Sequence, residues 1–307
     1  MTRWASVSVL LAILAGSGCS LKTYAINMVG NALSSGDSVY ETDDDLDLVV
    51  AALPFGLKLT ESLLSQSPNH PGLLLTACRG FVLYSYATVH YEAQLSAEHD
   101  LDRARAGRNR ARRLYARATQ YCTRGVERTY PGFATAILKD PEAAVTRIAG
   151  KTKTDLPFLY WTAASLGLAI SLSSDDAAML ARLPEVHALL NRALALDESW
   201  DEGALHEFKV LLAGSDGGAP DVPLIRKHYE RAVQLSHGRS AGVHVAYAEA
   251  VSIRQQNRAE FTELLKRALA VDPDAVPANR LVTILAHRRA RWLADRVDQL
   301  FVSPPER

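Results

Sequence analysis

His206-Glu207 is the start of a pattern that can do metal chemistry. In zinc hydrolases a second histidine four residues on puts two imidazoles on one helix face, with the glutamate as general base. Here that position is Val210, so the pair fails as a zinc site. Asp43, Asp44, Asp45 and Asp47 concentrate carboxylates, but a calcium loop alternates its ligands at a set spacing around a glycine, and that spacing is absent. Such carboxylates suit the start of a helix, where they accept backbone N–H groups and meet the positive end of the dipole. Phe158, Tyr160 and Trp161 gather aromatic rings at the start of another helix. With His206 and Phe208 they are the candidate lining of a small-ligand cavity, which typically has apolar walls and few polar groups. The alternatives are core packing for the rings and a hydrogen-bonded structural role for the histidine. Arg103, Arg105, Arg108, Arg110, Arg112, Arg113 and Arg117 crowd one helix. They read as a solvated face, or as a contact for an acidic protein surface or anionic headgroups. Neither a Gly-x-Ser-x-Gly elbow nor a phosphate loop occurs. The expectation is a protein that is not an enzyme, with no metal and no cofactor.

Lys and Arg total 34, as do Asp and Glu, so the formal net charge is zero. That balance argues against nucleic acid, whose partners carry excess positive charge. Hydrophobic residues are 48% of the 307, ample for a packed core, and three cysteines are too few for a disulfide scaffold or a four-thiolate zinc site.

The elements that must carry these residues read as helices almost throughout, and runs of alternating β-branched residues bounded by hairpin turns are lacking. The periodicity marks helices at Lys22–Leu33, Asp45–Ser67, Gly72–Glu98, Leu101–Thr129, Pro141–Ile148 and Leu156–Leu172. It continues at Leu183–Leu196, Asp201–Leu212, Val222–Leu235, Ala241–Arg254, Ala259–Val271 and Pro277–Phe301. Three of these end alike, at Arg192-Ala193-Leu194, Arg231-Ala232-Val233 and Arg267-Ala268-Leu269. Their alanines lie 39 and 36 residues apart, near the ~34-residue tetratricopeptide period. Val186, Ile225 and Phe261 sit seven residues before each alanine, and Leu190, Tyr229 and Leu265 three before. A small residue inside such a stripe lets a neighbouring helix approach closely. Helix pairs that cannot bury their stripes alone stack into a solenoid. The fold class is therefore all-α, a tetratricopeptide-like stack of antiparallel helix pairs. The clearest repeats span 156–272, and the basic amphipathic helix 277–301 caps the stack.

Residues 1–18 read as a lipoprotein signal peptide, and 19–307 as a single helical domain. Arg3 precedes an apolar run from Ala5 to Ala15, which as a helix spans roughly 17 Å, short of the ~30 Å hydrocarbon core. Gly16-Ser17-Gly18-Cys19 follows and resembles a lipoprotein cleavage box, with Gly16 where leucine is usual. Cleavage would leave Cys19 as the lipidated first residue. Ser20 beside it points to a periplasmic protein anchored to the outer membrane. Charges interrupt every later candidate for a bilayer span. In an oxidising compartment Cys78 and Cys122 pair as a disulfide or remain two small buried residues; spacing leaves both open.

Several short strings, in order along nearly the whole mature chain, carry a family resemblance. They are Thr42-Asp43-Asp44-Asp45, Ala52-Leu53-Pro54-Phe55, Ser67-Pro68-Asn69-His70-Pro71-Gly72-Leu73-Leu74, Pro157-Phe158-Leu159-Tyr160-Trp161, Gly203-Ala204-Leu205-His206-Glu207-Phe208, Asn279-Arg280-Leu281 and Arg288-Arg289-Ala290-Arg291-Trp292-Leu293. In these the chain resembles the T-component lipoproteins of TRAP-type transport systems, often called TatT; the 103–117 segment departs from the pattern. The resemblance implies a tetratricopeptide-like periplasmic lipoprotein that associates with the TRAP solute-binding protein. A homotrimer with a ligand-accessible channel is also implied. The expected function is an accessory role in solute uptake, docking that partner and holding or passing a small ligand. The alternative is a general scaffold lipoprotein for protein–protein contacts in the envelope.

Overall fold

A computed structural model describes residues 26–34, 39–213 and 221–302; the leader, Cys19 and the loop 214–220 lie outside the described residues. Among the described residues every regular element is helical. A helix over 26–34 and a turn at Val39–Thr42 lead into α1 (Leu46–Gln66). Then come α2 (Pro71–Tyr84), α3 (Leu101–Thr129), α4 (Phe133–Lys139) and α5 (Pro141–Thr146). The second half contains α6 (Asp155–Ser171), α7 (Leu183–Leu196), α8 (Ala204–Ala213), α9 (Val222–Leu235), α10 (Ala241–Tyr247), α11 (Arg258–Ala270) and α12 (Arg280–Ala294).

Helix starts follow capping chemistry. The carboxylates of Asp45, Asp100, Asp140 and Asp221 accept backbone N–H groups at the starts of α1, α3, α5 and α9, and Ser240 caps α10. The acidic cluster at 43–47 thus works as a cap, with Leu48 N donating to Asp45 Oδ1 at 2.9 Å. An open cleft of about 640 Å³ over Asp44–Asp47 and Arg288 borders this cap.

Two helices depart from regular geometry. Ser85–His90 forms a π-helical turn that joins α2 to Tyr91–Ser96, and Ala248–Ser252 forms another at the end of α10. Each extra residue turns the helix face that follows by about 100°. The α4 helix and the short turn Ala177–Leu180 lie where the sequence suggested only loop. The last helix is divided: 277–279 is a 3₁₀ turn, and α12 ends at Ala294 with Asp295 as its cap, before a final turn at Val297–Leu300.

Small residues set the spacing between helices. Ala104, Ala111 and Ala118, seven residues apart, are fully buried along α3, and Gly125 continues the series. A Cβ at Gly125 would lie 2.1 Å from the Phe158 ring, so the ring fits only because the side chain there is hydrogen. The three aligned alanines of the repeat behave alike: Ala193, Ala232 and Ala268 are at most 1% exposed. Their stripe partners Val186, Leu190, Ile225, Phe261 and Leu265 are buried as well. Consecutive helices pack as α6 on α7, α8 on α9 and α10 on α11, while α8 also contacts α10, and α10 contacts α12. One core runs from α1 to α8 and a second from α8 to the C-terminal turn. Cys78 of α2 and Cys122 of α3 form a disulfide across 5.0 Å between their Cα atoms, in the middle of the first core.

Among the described residues, the early helices meet the last one. Val49 and Leu53 of α1 bury against Leu281 of α12. Arg280 donates to the Thr42 carbonyl at 2.6 Å, and Arg296 binds Glu98 through two hydrogen bonds of 2.5 and 2.9 Å.

The sequence reading that charges interrupt every possible membrane span needs correction. Leu46–Gln66 and Pro71–Ser96 are both long and apolar enough to cross a bilayer. The charges on α1 fall too sparsely to break the run. Most of Pro71–Ser96 is buried within the protein, whereas α1 leaves Leu48, Phe55 and Leu59 exposed.

Burial pushes His90, His228 and His244 down to about 4. In the unfolded chain they take up protons near 6.5. Between those values the unfolded state binds more protons, so stability falls as pH drops from about 6.5 to about 4. Asp201 and Glu207, whose carboxyls burial raises, contribute in the opposite sense. A His90→Gln variant isolates one group. Its urea-unfolding free energy should change less steeply than that of the parent between pH 6.5 and 5, by up to ~1.4 kcal/mol per pH unit. Equal slopes would contradict the assignment.

Candidate functional site

The candidate site lies on the inner face, where α2, α6, α8, α10 and α12 converge. Tyr86 lies in the first π turn and Glu249 in the second. Tyr86 is 39% exposed, yet burial among protein atoms pushes its hydroxyl up to about 12, and the charges of Arg289, Glu249 and Glu207 all act on it. Tyr86 thus keeps solvent contact on one side while protein surrounds the rest of it. Asp201 repeats the combination: it is exposed, and its carboxyl is raised by desolvation.

Tyr160 occupies the same space. Its ring lies 4.9 Å from Trp161, 5.0 Å from Trp200 and 5.8 Å from Phe208, centroid to centroid. Burial raises its hydroxyl, with Glu207 and Asp201 adding to the effect. Glu207 accepts a 2.6 Å hydrogen bond from Ser240 Oγ. Its carboxylate rests in the gap left by Gly242, where a Cβ would come within 2.2 Å of Oε1. Burial raises this carboxyl, and the like charge of Asp201 adds to the rise.

The backbone leading into α8 is strained. Asp201 and Glu202 have φ of 49° and 51°, a left-handed conformation that non-glycine residues seldom adopt, and Gly203 follows at 93°. Glu202 is fixed by Arg239 at 2.5 Å and by Asn279 at 3.4 Å.

Arg289 closes the face. It donates to Gln94 Oε1 at 2.8 Å and to Glu249 Oε1 at 2.5 Å, stacks 4.3 Å over Trp292, and so ties α12 to the α2 arm and to α10. Arg79 is ion-paired with Glu41.

The residues singled out in the sequence separate here. Tyr160, Trp161 and Phe208 come together, and Trp200 joins them. Phe158 is 2% exposed and fills the notch at Gly125 between α3 and α6, which is a core position. His206 is set against α9, with Nδ1 2.8 Å from His228 Nδ1 and Nε2 3.4 Å from Glu198 Oε2. The Nδ1–Nδ1 contact needs one imidazole to donate and the other to accept, while His206 Nε2 is within ion-pair range of Glu198 without a hydrogen bond to it. Burial lowers both imidazoles, so the pair is neutral at pH 7. Cys19 lies outside the described residues. The Arg-rich helix is largely accounted for by local partners. Arg117 pairs with Glu61 and lies 5.0 Å over the Phe81 ring, Arg110 donates to Tyr84 Oη, and Arg112 reaches Asp176. Among the described residues no group of three or more metal-ligating side chains is assembled.

Sequence reasoning missed Tyr86, Asp201, Glu249 and Arg289, and it weighed His206 where Glu207 faces the space. The signal at Glu207 was the His206-Glu207 pair itself, set aside together with the zinc pattern.

The TRAP transporter T-component family profile matches residues 42–301. The chain belongs to that family. An uncharacterized protein of Treponema pallidum (strain Nichols) is 33% identical over 307 residues, covering 93% of this chain and 94% of its own. The T-component match embraces α1 through the C-terminal turn, and therefore every residue of the inner face named above. The chain is thus an accessory component of a TRAP-type transport system.

Removing the closing guanidinium tests the geometry. Arg289→Ala leaves the Glu249 carboxylate and Gln94 without their shared partner and should cost roughly 1–3 kcal/mol in chemical denaturation. Arg289→Lys should recover only part, because an ammonium cannot span both acceptors as a planar fork does. An unchanged unfolding midpoint for Arg289→Ala would contradict this role.

Proposed function

We propose that this T-component is a lipid-anchored periplasmic protein that docks the TRAP solute-binding protein and holds or passes its small ligand across the inner face. The observation that carries the reading is the family match over residues 42–301, with Tyr86, Tyr160, Glu207 and Glu249 close enough inside that span for their charges to act on one another. Ligand sites favour concave surfaces where aromatic walls meet a few convergent polar groups, and Tyr160, Trp161 and Trp200 with Glu207 and Tyr86 have that composition. The Cys78–Cys122 disulfide supports an oxidising compartment. The Gly16–Cys19 string supports acylation of Cys19 and anchoring in the outer membrane. The repeated stripes at Ala193, Ala232 and Ala268 support a tetratricopeptide-like stack, whose concave surfaces suit protein partners. Assembly as a trimer follows from the family resemblance alone.

The test is affinity capture of the full-length protein from detergent-solubilised envelopes of the native host. A TRAP solute-binding protein should co-purify, and labelled palmitate should appear on the wild-type chain but not on Cys19→Ala. Capture of envelope-assembly proteins without any solute-binding protein would overturn the transport reading in favour of a general scaffold.

A further inference from the structure

We infer that the ligand held at the inner face carries an organic ammonium group, seated between the Tyr160–Trp161–Trp200 rings and the carboxylates of Glu207 and Asp201. This rests on the ligand-handling role proposed above and names the chemistry of the ligand.

The rings supply the first half. Trp161 and Trp200 are each half-buried and pack on Tyr160 at 4.9 and 5.0 Å, with Phe208 behind it at 5.8 Å. Aromatic faces carry negative potential and attract cations, tryptophan most strongly, and the attraction grows when water is excluded.

The carboxylates supply the second half. The guanidinium groups near this face are engaged, Arg79 with Glu41, Arg239 with Glu202 and Arg289 with Glu249, and the charge of Arg79 also acts on Asp201. Glu207 is held by a neutral donor, Ser240 Oγ, and the charge acting on it is that of Asp201, of the same sign. Gly242 makes room for the carboxylate, and the left-handed backbone at Asp201 and Glu202 sets the second acid at the start of the same helix. At Glu207 a ligand carboxylate would meet a like charge. An ammonium group would supply the counter-charge that Glu207 lacks among its protein neighbours and would rest on the ring faces.

Both acids are raised by burial, so cation binding at mildly acidic pH must displace protons from them. The groups facing the pair are Arg79 and Tyr86 from the α2 arm, Tyr160 from α6, and Glu202 beside Asp201. Ser240 and Glu249 face it from α10 and its π turn, and Arg289 from α12. Burial holds the tyrosine hydroxyls protonated throughout this range. Affinity for an ammonium ligand should therefore rise as pH rises through the titration of these carboxyls.

The experiment titrates the full mature protein, in a non-ionic detergent, with hexyltrimethylammonium, hexanol and hexanoate, read by calorimetry and tryptophan fluorescence. The ammonium probe should bind at least tenfold more tightly than either analogue and quench the fluorescence. Glu207→Gln should weaken it about tenfold or more while leaving the far-ultraviolet circular dichroism unchanged. Glu207→Asp should retain part of the affinity, and the pH dependence should flatten in Glu207→Gln. Equal or tighter binding of hexanoate or hexanol, no binding of the ammonium probe, or an unaltered Glu207→Gln titration would each overturn the inference. Loss of the ammonium preference with the solute-binding protein still captured removes this inference alone. Ammonium binding without capture leaves the site standing and removes the transport role.

Discussion

The contact between α12 and the first helices is the constraint on which the inner face depends. Joining Arg280 to the Thr42 carbonyl closes a loop of more than two hundred residues, whose entropic cost grows only slowly with length. Burial of Val49, Leu53 and Leu281, together with the Arg289 and Arg296 hydrogen bonds, offsets it. A stack of helix pairs left open would present its inner side chains to bulk water. Closed, it places Tyr86, Tyr160, Glu207, Glu249 and Arg289 from separate elements around one space, and their charges act on one another through protein instead of solvent.

Two local devices make that convergence possible. Small residues bring helices close enough for long-range side chains to meet, as at Gly125 under Phe158 and Gly242 beside Glu207. The π turns at 85–90 and 248–252 contain Tyr86 and Glu249 and turn the helix faces that follow without breaking their helices. Neither device is a matter of stability alone. A π turn forgoes regular hydrogen-bond geometry, and the left-handed pair Asp201–Glu202 adds strain at the entry to α8. Such irregularities gather where a surface is shaped for binding, and here three of them adjoin one face.

Much of the architecture was legible in the residues. The boundaries of α3, α7 and α9 followed from periodicity and punctuation, and the stripe around Ala193, Ala232 and Ala268 identified faces that are in fact buried. Family membership was legible too, because ordered short strings survive where pairwise contacts cannot be read. What escaped was register and distance. A π turn carries no compositional mark, so a straight 3.6-residue wheel misplaces the residues that follow each one. Phe158 and Tyr160 are two residues apart on one helix and therefore point to different sides, one into Gly125 and one to the inner face; only the position of α3 decides which is which. The break after Ala294 was hidden by an unbroken amphipathic pattern up to Phe301.

The account ties transport to a closed inner face, so closure itself is what should be measured. Spin labels at the exposed positions Leu48 on α1 and Val282 on α12 report it by pulsed dipolar spectroscopy. Because Val49 and Leu281 share one buried cluster, a single narrow distance is expected, set by neighbouring helices about 10 Å apart and the label arms. A broad distribution centred at the far longer span of an open helical stack would contradict the account.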